Sequence, residues 1–527
     1  MTGISSINAL TLNPSQPVGN PPADAQPVAA SAAVSSPASS VTLGQSNVLE
    51  IHTYSARGSL SAALAAPIWE KNPLDKVSFA MGGNLAGKSN ASRFAGLGAA
   101  LLAQLADGKK NISQSVIQSS GGKPLNAAEL FAAQSKLHGS NADSMISLTL
   151  KTNSGKTVTL SLANQDTGLG VQALVEGGDL TSEESAALAK LANGFQAAID
   201  GLTAEPPQLK LDALTQYDSK VFSAVDLSAK LKLDEKNTQT LSFHADSQQR
   251  SVQMSGPSGD LQLSVDLKNQ AILGNAKQQL KALQSYLKQI DAATARGHAD
   301  KPLMSMFRDA FSALNSNYPA TRTATTAQTV DALAPTDTDR HLLTGLADFS
   351  ASVKQTAQAS NPMRPLEQDT FAYDVSQSTR LKGRDSLNRS IEQDQQSSLA
   401  ASYHQALYPG QKLKLTSDAE SQNYLFYRID DKASSQTHIG YEKGELITAS
   451  VSQSASQSTR VAKYVMGHLM EQTTVPVSSS KTQSFLDVLE QALHPDKTPS
   501  GAARLKKILD SLQDKVLLEA YPAKLNG

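Results

Sequence analysis

The chain has 527 residues, with 47 Lys and Arg against 48 Asp and Glu, a formal net charge of -1 and a charged fraction of 18%. That near-neutrality argues against a global electrostatic hold on nucleic acid or on an anionic membrane, and the low charged fraction leaves Ser, Thr, Gln and Asn to supply the polar surface. The absence of cysteine excludes disulfides, thiolate zinc sites, iron–sulfur clusters and thiol nucleophiles.

Residues 1–47 carry Pro14, Pro17, Pro21, Pro22, Pro27 and Pro37, many Ser and Ala, and few large apolar side chains. Such a segment cannot bury enough surface to offset its conformational entropy, so a disordered tail is expected. The first basic residue is Arg57, and a cleaved signal peptide needs a basic start followed by an apolar core. The expected location is therefore cytoplasmic, or exported without a cleaved signal peptide. No apolar run approaches the roughly 18 residues of a membrane helix.

Region 48–140 reads as mixed and mostly helical. Leu49, Ile51 and Tyr54 suit a short strand over Val48–Arg57. Lys76–Met81 suits a strand, and Phe94, Leu97, Leu101, Leu102 and Leu105 predict a helix over Arg93–Asp107. Asn126 and Glu129 form a capping box for a second helix through Leu137.

Region 141–316 is expected to be a first α+β domain. Ile146, Leu148 and Leu150 alternate with polar residues, Asn153-Ser154-Gly155 turns the chain, and Val158, Leu160 and Leu162 return as a hairpin. Val171, Ala173 and Val175 suit a third strand. Thr181 and Glu184 make a capping box, and Leu188, Leu191, Phe195, Ile199 and Leu202 follow at helical spacing until Pro206-Pro207. Four alternating runs between Val225 and Leu267, joined by short polar turns, predict an antiparallel meander. From Asn275 the period is helical, with one stripe through Leu280, Leu283, Leu287 and Ile290 and another through Met304, Phe307, Phe311 and Leu314.

Residues 317–336 are rich in Thr and Ala and read as a linker. Region 337–480 is expected to be a second α+β domain. Leu342, Leu346, Phe349 and Val353 predict a helix, and Phe371–Gly383, Leu399–Pro409, Leu413–Leu415, Asn423–Asp430 and Glu445–Ser454 predict strands. Residues 481–527 read as C-terminal helices. The expected fold class is α+β, with two antiparallel meander regions, helices packed against them and a disordered N-terminal tail.

Gly82-Gly83-Asn84-Leu85-Ala86-Gly87-Lys88-Ser89 fits the phosphate-binding loop pattern. That chemistry wraps phosphates in backbone N–H groups, with a lysine on the phosphates and a hydroxyl on magnesium, so Gly82, Gly87, Lys88 and Ser89 are candidate nucleotide-binding residues. It also needs a strand before, a helix after and a parallel sheet, whereas hairpins dominate here. Gly168-Leu169-Gly170-Val171-Gln172-Ala173 fits a dinucleotide fingerprint, but a helix should begin there and the residues alternate like a strand.

The nine histidines are isolated, without an H-E-x-x-H pair, so no metal site is expected. His244 and His404 fall on return strands and read as surface residues. No G-x-S-x-G elbow occurs, and no catalytic residue or cofactor is assigned. Tyr424 and Phe426 share one face of a strand that is apolar on both sides, which places that strand centrally. Ser390–Gln405 and Thr448–Arg460 are strands dominated by Ser, Gln and Thr, with neutral polar faces open to solvent or to partners.

The hairpin Ser147–Leu162, the helix Thr181–Leu202 and the strands following Leu211–Leu233 resemble a hairpin–helix–meander domain of uncharacterised proteobacterial proteins. The resemblance implies a bacterial source and brings no catalytic residues with it. The expected function is a non-catalytic interaction protein, surface-associated or exported, with a protein partner and no nucleic acid. The alternative is a nucleotide-using enzyme, either a phosphate-loop NTPase at Gly82–Ser89 or an NAD-dependent oxidoreductase using Gly168 and Gly170. A third role, as a substrate or regulator of a flagellar or related export machine, rests on the tail alone.

Overall fold

Period-two alternation runs through most of the predicted strands and assembles them into one antiparallel sheet. The computed structural model describes residues 66–118, 125–318, 333–493 and 499–526. The expected tail, the strand Val48–Arg57 and most of the expected linker lie outside the described residues.

The first strands are β1 (Ile68–Trp69), β2 (Asn111–Ile117), β3 (Ser144–Thr152), β4 (Thr157–Gln165) and β5 (Gly168–Glu176). The meander follows as β6 (Phe222–Lys232), β7 (Thr238–Asp246), β8 (Gln249–Gly256) and β9 (Gly259–Asp266). Then come β10 (Asp348–Gln355), β11 (Thr370–Asp385), β12 (Asn388–Ala406), β13 (Tyr424–Glu442), β14 (Glu445–Val465) and β15 (His468–Ser484). Their spatial order is β1-β2-β5-β4-β3-β6 and then sequential to β15. The two predicted β regions are therefore one sheet, joined where Phe349 of β10 stands opposite Val265 of β9 and Gln377 of β11.

One face is covered by helices. Near β2–β5 lie α1 (Lys76–Asn84), α2 (Asn90–Phe94), α3 (Leu97–Ala106) and α5 (Ser182–Leu202), while the short α6 (Asp212–Thr215) leads into the meander. Over the middle lie α7 (Ala276–Gly297) and α8 (Lys301–Leu314). At the far end lie α9 (Leu486–Leu493), α10 (Pro499–Val516) and α11 (Pro522–Leu525). The predicted capping boxes at Asn126 and Thr181 are present, and Ser89 with Ser92 and Asn275 with Gln278 form two more. The helix stripes point at the sheet as expected, with Phe195, Ile199, Phe307 and Phe311 fully buried; Leu280 is the exception and stays exposed. The remaining helix, α4 (Ala127–His138), packs on the opposite face, where Leu137 joins Ile117 and Ala163.

Four local expectations are corrected. Lys76–Met81 is helical, because Asp75 caps Ser78 N at 2.8 Å and Val77 and Met81, one turn apart, both enter the core. The helix over Arg93–Asp107 is broken into α2 and α3 at Gly96, whose φ of 69° is left-handed. Leu342 to Val353 is not a helix: Asp339–Leu342 is a single 3-10 turn, and Phe349, Ala351 and Val353 alternate into the core from β10. Phe349 and Val353, four residues apart, suit either period, and the open ladders of β9 and β11 decide for the strand. Leu413–Leu415 is irregular; Leu413 and Leu415 are half-buried against Tyr424 and Phe426.

The core face of the last strands is unusual in being polar. Gln377, Gln393 and Gln395 are buried there, as are Ser435 and Thr437. Apart from the Thr437 hydroxyl, which makes no hydrogen bond, they reach backbone groups of the C-terminal segment and of the turn before β10, as does the neighbouring Gln453: Gln395 Nε2 and Ser435 Oγ donate to Val516 O, Gln453 Nε2 donates to Leu517 O, and Thr344 N donates to Gln393 Oε1. Side-chain amides here perform the bonding that a further strand would otherwise supply.

Candidate functional site

The sheet face opposite the helices is covered by α4 at one end and open over β10–β15. Strand register places Ser352, Asp374, Ser398, Lys432, Ser456 and Ser478 in one row across six strands. The adjacent row is Ser350, Ser376, Gln396, Ser434, Ser454 and Ser480. All of them except Ser352 line a concave trough of about 800 Å³. Ser434 and Ser454 hydroxyls bond each other at 2.8 Å, and Ser398 donates to Asp374 at 3.3 Å. The other serine hydroxyls, the Gln396 amide and the Lys432 ammonium point outward without protein partners. Lys432 and Asp374 lie two strands apart, about 10 Å at the usual strand spacing, so opposite charges stand on either side of Ser398 within an otherwise neutral hydroxyl floor.

Beyond Ala400 and Ser402 a strap, residues 356–369, closes the same face. Its anchor is His404 of β12, whose side chain is 1% exposed. His404 Nδ1 lies 2.6 Å from Asp369 Oδ1, and its backbone N–H donates to the same oxygen at 2.9 Å. Tyr424 and Tyr464 hydroxyls donate to Glu367 at 2.7 and 2.8 Å, and Arg364 stacks over Tyr464 at 4.4 Å. Burial alone would raise the Asp369 pKa, but bonds from His404 and Ser360 outweigh it and hold the carboxyl below its ordinary range. Burial, with the Glu367 carboxylate beside it, pushes the Tyr424 phenol up. His404 Nε2 makes no hydrogen bond and faces Glu367 at 3.6 Å, between the Tyr424 and Phe426 rings. Closed in on every side, the pair ties the strap to the sheet. This corrects the expectation of a surface histidine at 404. His244, on β7, is half-buried between Asp226 and Asp246.

The phosphate-loop match ends up elsewhere. Gly82 and Gly83 belong to α1, Lys88 is exposed in the connection that follows, and the Ser89 side chain is the N-cap of α2, accepting from Ser92 N. A helix therefore precedes the loop where the motif needs a strand, and the helix after it has five residues. Gly168 and Gly170 begin β5, with no helix starting there. A Cβ on Gly170 would lie 2.9 Å from Leu137 Cβ, and one on Gly168 would lie 2.8 Å from Val116 O. These glycines let α4 and β2 approach. Arg93 links the two motifs: its guanidinium donates to Gly87 O at 3.4 Å and Gly168 O at 3.0 Å.

Among the described residues no group of three or more His, Asp and Glu is placed to hold a metal ion, and no helix is long and apolar enough to cross a membrane. Comparison with protein-family models, curated proteins and solved structures found no match. Sequence reasoning found the polar strands but not the trough, because which polar residues share a row depends on register across six strands. It also missed the strap: His404 lies 35 residues beyond Asp369, too far along the chain for either to signal the other.

Proposed function

We propose that the chain is a non-catalytic protein-binding molecule and that the trough over β10–β15 is where its partner docks. The observation behind this reading is the asymmetry of the sheet. The helices pack on one face, whereas the other face keeps a wide concave floor of mostly unpaired serine hydroxyls with one lysine and one aspartate. Neutral hydroxyls are inexpensive to desolvate compared with charges, so a polar protein surface can replace their water by direct or bridged hydrogen bonds. The flanking Asp374 and Lys432 would set the orientation of the partner. The proposed location is the cytoplasm, or outside it without a cleaved signal peptide.

The test is site-specific photo-crosslinking in the producing cell, with the photoreactive residue at Ser434 or Ser456 and, as control, at Lys190 on α5. A discrete protein adduct from the trough positions alone, weakened by Lys432→Glu, supports the reading. The same adducts from Lys190 count against it. So does a rise in melting temperature with Mg-ATP that Lys88→Ala abolishes.

A further inference from the structure

At the opposite end of the sheet, Gly87–Asn90, the start of β3, the β4–β5 turn, the β6–β7 turn and the end of α5 surround a recess of about 680 Å³. The geometry points to this recess as a binding site for an organic cation, an alkylammonium or guanidinium group.

Three observations carry it. The first is an unmet acceptor. Asn164 lines the recess and is nine-tenths buried. Asn90 Nδ2 donates to Lys232 O at 3.0 Å, so Asn90 Oδ1 accepts from Asn164 Nδ2 at 2.9 Å. That chain of bonds sets the amide orientation and leaves Asn164 Oδ1 as a buried acceptor without a donor. Such a group calls for an N–H or O–H from outside.

The second is charge. Five carboxylates line the recess, Asp143, Asp166, Glu205, Asp234 and Glu235, against the cations Lys88, Arg93 and Lys232. Asp143 is paired with Lys232 at 3.7 Å, and Asp234 is committed to its own turn through Lys236 N and Asn237 N. The Glu205 and Glu235 carboxylates have no hydrogen-bond or ion-pair partner among the described residues, whereas the Asp166 carboxylate lies within electrostatic reach of the Arg93 guanidinium. Arg93 spends its terminal nitrogens on the carbonyls of Gly87, Asp166 and Gly168, and its Nε is unmet. Lys88 is the one exposed cation of the recess without a partner.

The third is a helix end. Leu202 and Thr203, at the C-terminus of the 21-residue α5, line the recess. The carbonyl end of a helix dipole favours positive charge. All three features oppose a nucleotide phosphate at the same loop and favour a donor that carries a positive charge.

Two sources of this chemistry are separated by two probes. Spermidine and an acetylated, amidated glycine-arginine-glycine tripeptide are titrated calorimetrically into the full chain at low salt, with variants whose melting temperatures match the wild type. Binding of spermidine alone identifies a free polyamine as the ligand, and binding of the tripeptide identifies an arginine side chain of another protein. In either case Glu205→Gln with Glu235→Gln should raise Kd about tenfold, and Lys88→Ala should lower it by removing a like charge. Three results would overturn the proposal: no heat with either probe up to about 10 mM, an unchanged Kd in the double variant, or weaker binding in Lys88→Ala. The last would show that Lys88 does not act on the bound cation as a like charge.

Discussion

Gln395, in the middle of β12, donates through Nε2 to the carbonyl oxygen of Val516 at 2.9 Å. Its Oε1 accepts from Leu518 N at 3.1 Å and from the Tyr286 hydroxyl at 2.9 Å. One fully buried amide thus holds the C-terminal segment and α7 to the sheet. Gln395→Leu preserves bulk but leaves the Leu518 N–H and the Tyr286 phenol unpaired, while Val516 O keeps its bond from Ser435 Oγ at 2.7 Å. It should lower stability by about 2–4 kcal/mol, given about 1–3 for each unmet group and partial relaxation. Urea unfolding reads the loss, and hydrogen exchange should show residues 513–520 opening first. A loss no larger than that of an exposed Gln436→Leu control would show that the bonds contribute little.

Glu184 closes the α5 capping box and also accepts from Lys156 Nζ at 2.7 Å and from Ser154 Oγ at 2.6 Å. Burial would raise its pKa, but these bonds outweigh burial and hold it at about 2. Because the folded value lies below the unfolded one, the stabilisation is present above about 4.3 and is lost as pH falls toward the folded value. Glu184→Gln should cost about 1–3 kcal/mol at pH 7 and flatten the pH dependence of stability between about 4.3 and 2. Denaturation midpoints at pH 7, 4 and 3 check it; an equal cost at all three would remove the electrostatic explanation.

His244 gives the opposite sign. Burial would lower its pKa, but Asp226 and Asp246 outweigh burial and raise it. The stabilisation is therefore full below the unfolded value of about 6.5 and disappears as pH rises through the folded value. His244→Gln should destabilise the protein more at pH 5.5 than at pH 9, as thermal unfolding at the two pH values would show. An equal loss at both would count against the charge pairing.

The last strand, β15, is 17 residues long, exposed, and carries Leu469, Met470, Val475 and Val477. Pro476 stands opposite Ser458, whose N–H turns toward β13, where Asp431 Oδ1 accepts it at 3.3 Å. The proline nitrogen therefore faces the free edge, where it offers no donor to an incoming strand. Pro476→Thr should restore that donor and cause concentration-dependent self-association in sedimentation velocity, with the circular dichroism unchanged. A variant that stays as monodisperse as the wild type would deny proline this protective role.

Gly170 lies under Leu137 of α4. Gly170→Ala should cost about 1–3 kcal/mol through overpacking, and adding Leu137→Ala should recover part of it, since each relieves the same contact. Additive losses would place the strain elsewhere. An NAD-dependent melting shift that Gly170→Ala abolishes would assign the glycine to a dinucleotide instead.

The sequence by itself determined most of the elements. Period two in β3–β9, helical stripes in α5, α7 and α8, and capping boxes at Asn126 and Thr181 are local signals, carried by residues a few positions apart. The antiparallel arrangement followed from turns too short for a crossover. Tertiary structure alone decided the rest. Phe349 and Val353 suit two periods, and only free ladders on both sides made β10 a strand. Between Ile391 and Leu399, both buried, β12 carries only polar residues on both faces, so which row bonds the C-terminal backbone and which lines the trough was settled by what packs against each face. The glycines at 168 and 170 match a fingerprint as letters, but their role is to let Leu137 approach. The recess, the strap and the trough each join residues from several elements, and no spacing along one chain encodes a distance between elements that meet only when the sheet closes its register.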